Sequence, residues 1–143
     1  MVKKDVPEHR SGCPLSIALE IFGDRWTLLI LRDLMFKQYS TYKEFLESGE
    51  GIATNVLADR IRMLQEQGII VGERSTSDAR IICYRPTQKG LDLLPVMVEM
   101  IIWADQYEET AAPARIMRRL REDRTGFIDE VRKRFTEAEK GKG

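Results

Sequence analysis

The chain has 143 residues, of which 43% are hydrophobic and 32% charged, a composition typical of one globular domain with its own core. Lysine plus arginine and aspartate plus glutamate balance at 23 each, so net charge alone does not point to a nucleic-acid partner. Because the sequence has no membrane-length apolar run, no signal peptide and only two cysteines, we expect a cytoplasmic protein without a membrane partner or a disulfide framework.

The chain begins with a polar segment and two predicted helices. Residues 1–12 are mixed in charge, and we expect them to form a mobile arm. Cys13 and Pro14 open the first helix, since proline suits the first helical position, and Gly23 ends it. Asp24 is placed to cap the next helix, which has a strongly apolar side. We expect both helices to supply core and to support the segment that follows.

Residues 41–68 have the pattern of two helices joined by a glycine-bearing turn. Thr41 and Glu44 make a capping box, in which each side chain satisfies a backbone N–H group of the new helix. Tyr42, near the start of that helix, is either a phosphate ligand through its hydroxyl or a half-buried surface residue. In the second helix one apolar stripe, spaced i, i+4, i+7, consists of Leu57, Ile61 and Leu64.

The other face of the second helix is polar. Asn55 and Arg62 share it with Asp59, and Thr54 and Arg60 flank it. Major-groove reading requires a helix that is packed against the protein by an apolar face and exposes a polar face. An ordinary pair of packed helices fits this pattern equally well. On the first interpretation Thr54 and Asn55 reach base edges, and Arg60 and Arg62 reach phosphate or guanine.

The sequence changes from a helical to an extended period immediately after this pair. Residues 69–71 and 81–84 are rich in β-branched side chains and are predicted to form two strands around a polar turn at 74–80. A helix-turn-helix followed by such a hairpin predicts a winged helix, mainly α with a small β-hairpin wing (α+β). Arg74 and Arg80 would then meet phosphate or the minor groove, the alternative being a solvated loop.

Thr87 is placed to cap a further helix, in which Pro95 predicts a kink or a fresh start. Residues 91–112 contain five acids and no lysine or arginine, so we expect this segment to face away from DNA. Its apolar surface exceeds what one winged helix can cover, which predicts a partner subunit. We therefore assign 13–110 to the winged helix-turn-helix domain with its dimerisation helices.

Residues 111–143 form a predicted C-terminal helical extension. Two amphipathic helices are expected to meet around Thr125 and Gly126, and residues 141–143 are expected to be disordered. The extension is rich in arginine, a pattern that more often marks a solvated face than a second nucleic-acid site.

Several short stretches, in order and at matching spacing, resemble the HxlR-type transcriptional regulators, winged-helix proteins related to the MarR regulators. They are Cys13-Pro14-Leu15, Gly23-Asp24-Arg25-Trp26, residues 57–64, and Tyr84-Arg85-Pro86-Thr87. The likeness runs from about Cys13 to Tyr107. It implies a homodimer that binds a double-stranded DNA operator. The dimer would form through the N-terminal helix and the helices after the wing. It also implies that a cysteine near the N-terminus can sense an electrophile, an oxidant or an aldehyde.

The sequence departs from this family at two positions near the DNA-binding elements. Ala53 stands where the family often has a serine or threonine cap, and we expect Thr54 or Asn55 to take over that contact. Pro86 stands where the family usually has an apolar residue.

Cys13 has two interpretations. At a helix N-terminus the unpaired N–H groups favour a thiolate, which would make Cys13 a redox or electrophile sensor. A cysteine buried at the dimer contact would instead be inert. Cys83 is interpreted as core, and Trp26 and Trp103 as core packing in preference to the walls of a ligand pocket.

Nothing in the sequence suggests an enzyme, a cofactor or a metal. His9 is the only histidine, so a Ser/His/Asp arrangement cannot be assembled within the predicted domain, and His9 with Cys13 is at most half a metal site. We expect a sequence-specific DNA-binding transcriptional regulator that acts as a homodimer. The alternative is a winged-helix module for protein–protein interaction.

Overall fold

The fold consists of helices and one two-stranded hairpin, in a computed structural model that describes residues 9–140, with side chains to residue 136. Most of the predicted arm and the predicted disordered end, residues 1–8 and 141–143, lie outside the described residues. The elements in chain order are α1 (Pro14–Phe22), α2 (Thr27–Met35), α3 (Tyr42–Leu46), α4 (Thr54–Glu66), β1 (Ile70–Arg74), β2 (Ile82–Pro86), α5 (Gln88–Leu91), α6 (Leu94–Tyr107), α7 (Ala114–Glu122) and α8 (Arg124–Lys140). This confirms the predicted mainly helical fold with a β-hairpin wing. Among these described helices, none is long and apolar enough to cross a membrane.

The start of α3 is fixed by the predicted capping box. The Glu44 N–H group donates to the Thr41 hydroxyl at 3.3 Å, and the Thr41 N–H group donates to the Glu44 carboxylate at 3.1 Å. A further bond from the Ser40 N–H group is the main reason that the pKa of Glu44 lies below its ordinary value. Gly49 and Gly51 then turn the chain towards α4 at φ 98° and 76°, angles that disfavour any L side chain.

The two strands pair antiparallel from Ile70 opposite Pro86 to Arg74 opposite Ile82. Each begins one residue later than predicted and extends into polar residues, because backbone pairing does not require apolar side chains. The Tyr84 N–H group also donates to the Ser40 carbonyl at 2.7 Å. The wing is thereby anchored to the residues that open α3.

The core lies among α2, α3, α4, the hairpin and α6. Its side chains of at most 1% exposure include Leu31, Leu34, Met35, Phe45, Leu57, Leu64, Ile69, Ile70, Leu94 and Val98. The Asp24 carboxylate accepts hydrogen bonds from the Trp26 and Thr27 N–H groups at 2.9 and 3.0 Å, ahead of the first helical turn of α2. The N-cap residue of α2 is Trp26, without a side-chain cap, and not Asp24 as predicted; Asp24 instead holds N–H groups at the start of the helix from three residues before it.

The prediction that the first helix supplies core is wrong within this chain. None of the residues of α1 is buried, and Leu15 and Leu19 are 68% and 55% exposed. Only Ile21, partly buried, packs against the core. The physical reason is that the other elements already cover the core, so Leu15 and Leu19 of α1 are left exposed by the described part of the chain.

The α6 helix makes a fresh start at Leu94, with Pro95 in its first turn, and carries two apolar stripes. Leu94, Met97 and Val98 face the core. A second stripe is exposed and consists of Val96, Met100, Trp103 and Tyr107. Trp103 is 65% exposed, so its interpretation as core packing is wrong: its position on the helix places it on the second stripe.

The C-terminal extension packs on α6 through the buried Met117 and Leu120 of α7 and Ile128 and Val131 of α8. The break between its helices is at Asp123 and not at Thr125-Gly126. The Asp123 carboxylate accepts the Gly126 N–H group at 3.2 Å, and a Cβ on Gly126 would collide with it. Gly126 therefore serves the first turn of α8 and does not end a helix.

Arginines of the extension pair with acids of the 91–112 segment. Arg121 binds Asp105 at 3.0 Å, Arg132 approaches Asp92 at 3.7 Å, and Arg124 pairs with Glu99. Three acids of the stretch and three arginines of the extension are therefore paired across the α5–α6 and α7–α8 surfaces.

Candidate nucleic-acid interface

The α4 helix is held down by one face and exposes the other. Leu57, Ile61 and Leu64 are 0%, 4% and 0% exposed, as the predicted stripe requires. Thr54 and Asn55 are exposed at the N-terminal end, which is the end that enters the major groove in helix-turn-helix proteins.

No side chain caps the start of α4. Ala53 is the N-cap residue with an extended backbone, and neither Thr54 nor Asn55 takes over the capping contact, so that prediction is wrong. A residue inside the first turn points its side chain away from the N–H groups that a cap must reach. These backbone groups are left available to an anion at the helix end.

Tyr42 lies behind this end of α4. Its hydroxyl donates to the backbone carbonyl of Thr54 at 2.8 Å, so in the free protein Tyr42 ties α3 to the first residue of α4. A phosphate contact through the same hydroxyl proton would require this bond to be exchanged.

Arg60 and Arg62 are joined to carboxylates. The Asp59 carboxylate accepts Arg60 Nη2 at 2.5 Å and Arg62 Nη2 at 2.6 Å, and Arg60 Nη1 also lies 3.5 Å from Asp24. The hydrogen bond from Arg60 is the main cause that lowers the pKa of Asp59, and the same bond raises the pKa of Arg60. Asn55, Arg60 and Arg62 line one groove with Asp24 and Asp59.

The wing carries Arg74 and Arg80 in different situations. Arg80 has a side chain that is 90% exposed and holds Asp78 through Nε and Nη2, both at 3.0 Å. This pairing lowers the pKa of Asp78. Arg74 ends β1 and donates to the Ala79 carbonyl at 2.7 Å, which closes the loop. Arg80 is therefore the exposed arginine at the tip of the wing, and Arg74 stabilises the base of the wing loop.

A second groove separates α3 from the wing. It is lined by Tyr42 and Arg80 together with Lys43, Ile81 and Ile82. Sequence reasoning missed Lys43, which is exposed on α3 next to Tyr42. Lys43 directly follows Tyr42, the first residue of α3 after its cap, and this position could have marked Lys43 as a candidate contact residue.

Cys13 is exposed at the N-cap position of α1, away from either groove, and its N–H group donates to the Ser11 hydroxyl at 3.1 Å. Cys83 is half-buried in β2. His9 pairs with Glu20 at 2.7 Å, and within the described part of the chain no three His, Cys, Asp or Glu side chains are placed to hold a metal ion.

Comparison with known proteins agrees with this architecture. The profile of the HxlR-like helix-turn-helix family matches residues 21–112. A helix-turn-helix transcriptional regulator of Mycobacterium tuberculosis is 35% identical over 109 residues, which cover 75% of this chain and 66% of the relative. The match thus spans just under two thirds of that relative's length.

The Bacillus subtilis regulator YodB is 33% identical over 98 residues, which cover 68% of this chain and 87% of YodB. Crystal structures of YodB include a reduced form (TM-score 0.56, 29% identity, 68% of this chain, 95% of YodB) and a quinone-bound form (TM-score 0.53, 35% identity, 66% and 99%). A diamide-treated form is also known.

The crystal structure of the transcription factor candidate PA1607 is similar over 73% of this chain and 72% of its own, with a TM-score of 0.65 and 34% identity. With the profile match over residues 21–112, an exposed recognition helix and a wing beside it, this chain belongs to the HxlR-like helix-turn-helix family of transcriptional regulators.

Proposed function

We propose that this chain is a sequence-specific DNA-binding regulator that acts as a homodimer on an operator. The observation that carries the proposal is the start of α4, where Thr54 and Asn55 are exposed on a helix whose opposite face is fully buried. Its action on chromosomal DNA would place it in the cytoplasm.

In this proposal some side chains contact base edges and others contact the DNA backbone or the minor groove. Asn55 pairs with adenine N6 and N7, and Thr54 lies beside it at the base edges. Arg60 and Arg62 reach phosphate or guanine once they leave Asp59, and Arg80 meets the backbone or the minor groove from the wing. Tyr42 and Arg74 support these contacts from α3 and from the base of the wing.

The homodimer is supported by apolar surface that the chain leaves exposed. Leu15 and Leu19 of α1 and Trp103 and Tyr107 of α6 are 55% to 68% exposed, and large apolar side chains left exposed on a helix are typical of an interface. A two-fold dimer would set its recognition helices one DNA turn apart or a multiple of it, ~34 Å per turn.

Cys13 is proposed as a switch for an oxidant or electrophile. Its support is its exposure in this chain and the quinone-bound and diamide-treated structures of the related YodB. With a quinone, the Cys13 thiolate forms a C–S bond to the ring, the ring proton moves to one oxygen and water supplies a proton to the other, which gives a hydroquinone thioether. With diamide, the Cys13 thiol and a second thiol, that of Cys13 in the other subunit or of a small molecule, lose two electrons and two protons to the diazene and form one disulfide.

The proposal is tested by titrating operator and scrambled duplexes at several salt concentrations with wild type, Asn55→Ala and Arg80→Ala. Asn55→Ala should weaken operator binding by about 1–3 kcal/mol with little change on the scrambled duplex. Arg80→Ala should weaken both and flatten the salt slope by about one unit, because one phosphate is no longer neutralised.

Operator binding by Asn55→Ala that equals wild type would remove the proposed base reader. If duplex binding of the wild type does not depend on salt, the protein–protein module becomes the better interpretation.

A further inference from the structure

A cavity of about 400 Å³ lies between the end of α2, α6 and the two helices of the C-terminal extension. This volume is within the range of small-molecule sites in proteins. Its apolar lining includes Phe36 and Ile101 together with Ile116 and Phe127. Most of its lining comes from α7 and α8, so the cavity depends on the extension, which lies beyond the family match at residues 21–112.

Two arginines line this largely apolar cavity, and among the described side chains one of them, Arg119, has an ion-pair partner. Arg119 pairs with Glu130 at 2.5 Å and lies over the Phe127 ring, 5.6 Å from its centroid. Arg134 donates from Nη1 to the Met35 carbonyl at 3.4 Å. Among the side chains described to residue 136, no carboxylate lies within ion-pair distance of Arg134. Within the described side chains its guanidinium donates to that carbonyl alone, which leaves further N–H donors for an anion.

We propose that this cavity binds a small apolar carboxylic acid, aromatic or alkyl, whose carboxylate pairs with Arg134. The planar guanidinium matches a carboxylate with two parallel hydrogen bonds. The apolar body of the ligand lies against Phe36 and Phe127, whose rings are 5.8 Å apart between centroids and tilted by 51°, and against Ile101.

The charge of the cavity selects this class of ligand. Glu130 is the one carboxylate in the described lining and is bound to Arg119, so a cationic ligand would face Arg134 without a free carboxylate from that lining. A neutral apolar ligand would leave that guanidinium without a counter-charge. The lining of this site includes neither Cys13 nor a residue of the two DNA-facing grooves. Acid binding at this site can therefore be tested independently of the proposed function.

Isothermal titration calorimetry of the full chain with 4-phenylbutyrate, octanoate and the matched neutral 4-phenylbutyramide tests this site. We expect one acid bound per chain and an amide that binds at least about tenfold more weakly. Arg134→Gln should remove the preference for the acid. The control Arg115→Gln, on an exposed α7 residue outside the cavity lining, should retain it.

A second variant keeps the test decisive if Arg134→Gln does not fold. Ile116 is 37% exposed, so Ile116→Trp can fill the cavity from its rim and should abolish binding of both acids while helicity by circular dichroism is kept. Absence of binding by the wild type, equal binding of acid and amide, or an unchanged acid preference in Arg134→Gln would each overturn the proposal. So would a change in the sedimentation coefficient of Ile116→Trp, since the cavity would then be a subunit interface.

Discussion

Asp59 occupies the position on α4 from which one carboxylate holds two arginines. Arg60 and Arg62 both donate to it, and both are candidates for phosphate contact. Phosphate must therefore displace a partner that is already in place, and the carboxylate itself repels the duplex. The side chain between the two cations is as important to affinity as the cations.

Asp59→Asn should tighten binding to a scrambled duplex several-fold, because it frees two arginines and removes a negative charge from the recognition surface. The salt slope should steepen by about one unit for each additional phosphate that an arginine neutralises. Fluorescence anisotropy at several salt concentrations measures both quantities. Glu108→Gln, the same charge change at the end of α6, is the control, and an equal response of the two variants would refute the role of Asp59.

Cys13→Ser should bind the operator like wild type and lose the response to diamide or a quinone, because serine keeps the helix start but has no thiol. Electrophoretic mobility shift with and without diamide, followed by dithiothreitol, measures release and its reversal. Cys83→Ser, a change at the half-buried second thiol, should still respond. Release of DNA by oxidised Cys13→Ser would remove Cys13 from the mechanism.

At the scale of the elements, α3 and α4 differ in how they begin. Thr41 and Glu44 close the start of α3, whereas Ala53 leaves the start of α4 without a side-chain cap. An uncapped recognition helix has weaker local stability and free N–H groups facing the surface that would meet DNA.

Thr41→Ala should destabilise the protein by about 1 kcal/mol, and Ala53→Ser should stabilise it by up to about 1 kcal/mol, because the first removes a capping hydrogen bond and the second supplies one. Urea denaturation followed by circular dichroism gives both free energies of unfolding. If Ala53→Ser leaves the midpoint unchanged, the backbone N–H groups of α4 are already satisfied.

The elements that were predicted well are those that local chemistry determines. The capping box, the glycine turn and the stripe of α4 each depend on residues within two helical turns, so the sequence suffices to find them. The exposure of α1 and Trp103 could not be predicted, since it depends on which surfaces remain after the core is complete. The pairing of Arg60 with Asp24, 36 positions earlier in the chain, likewise exists only once α2 and α4 have packed.

At the scale of the whole molecule, the exposed stripes of α1 and α6 should bury each other in a dimer. Leu19→Glu combined with Trp103→Glu should convert a micromolar dimer into a monomer in sedimentation velocity, because two carboxylates would enter an apolar interface. Ile82→Glu, which replaces an exposed apolar residue on the wing, should leave the dimer intact. A wild-type monomer at this concentration would contradict the assignment.

Under the proposed function, the ion pairs between the extension and the α5–α6 segment bear on the rate at which the protein would find an operator. Arg121, Arg124 and Arg132 are neutralised by acids of their own chain, so they add little to the electrostatic field that attracts DNA from a distance. Without such steering, we expect an association rate constant near the unsteered range of about 10⁵–10⁶ M⁻¹s⁻¹. The same neutrality should shorten each stay on random sequence, so that under the proposed function a larger share of the copies in a cell is free to search and to meet an oxidant or electrophile.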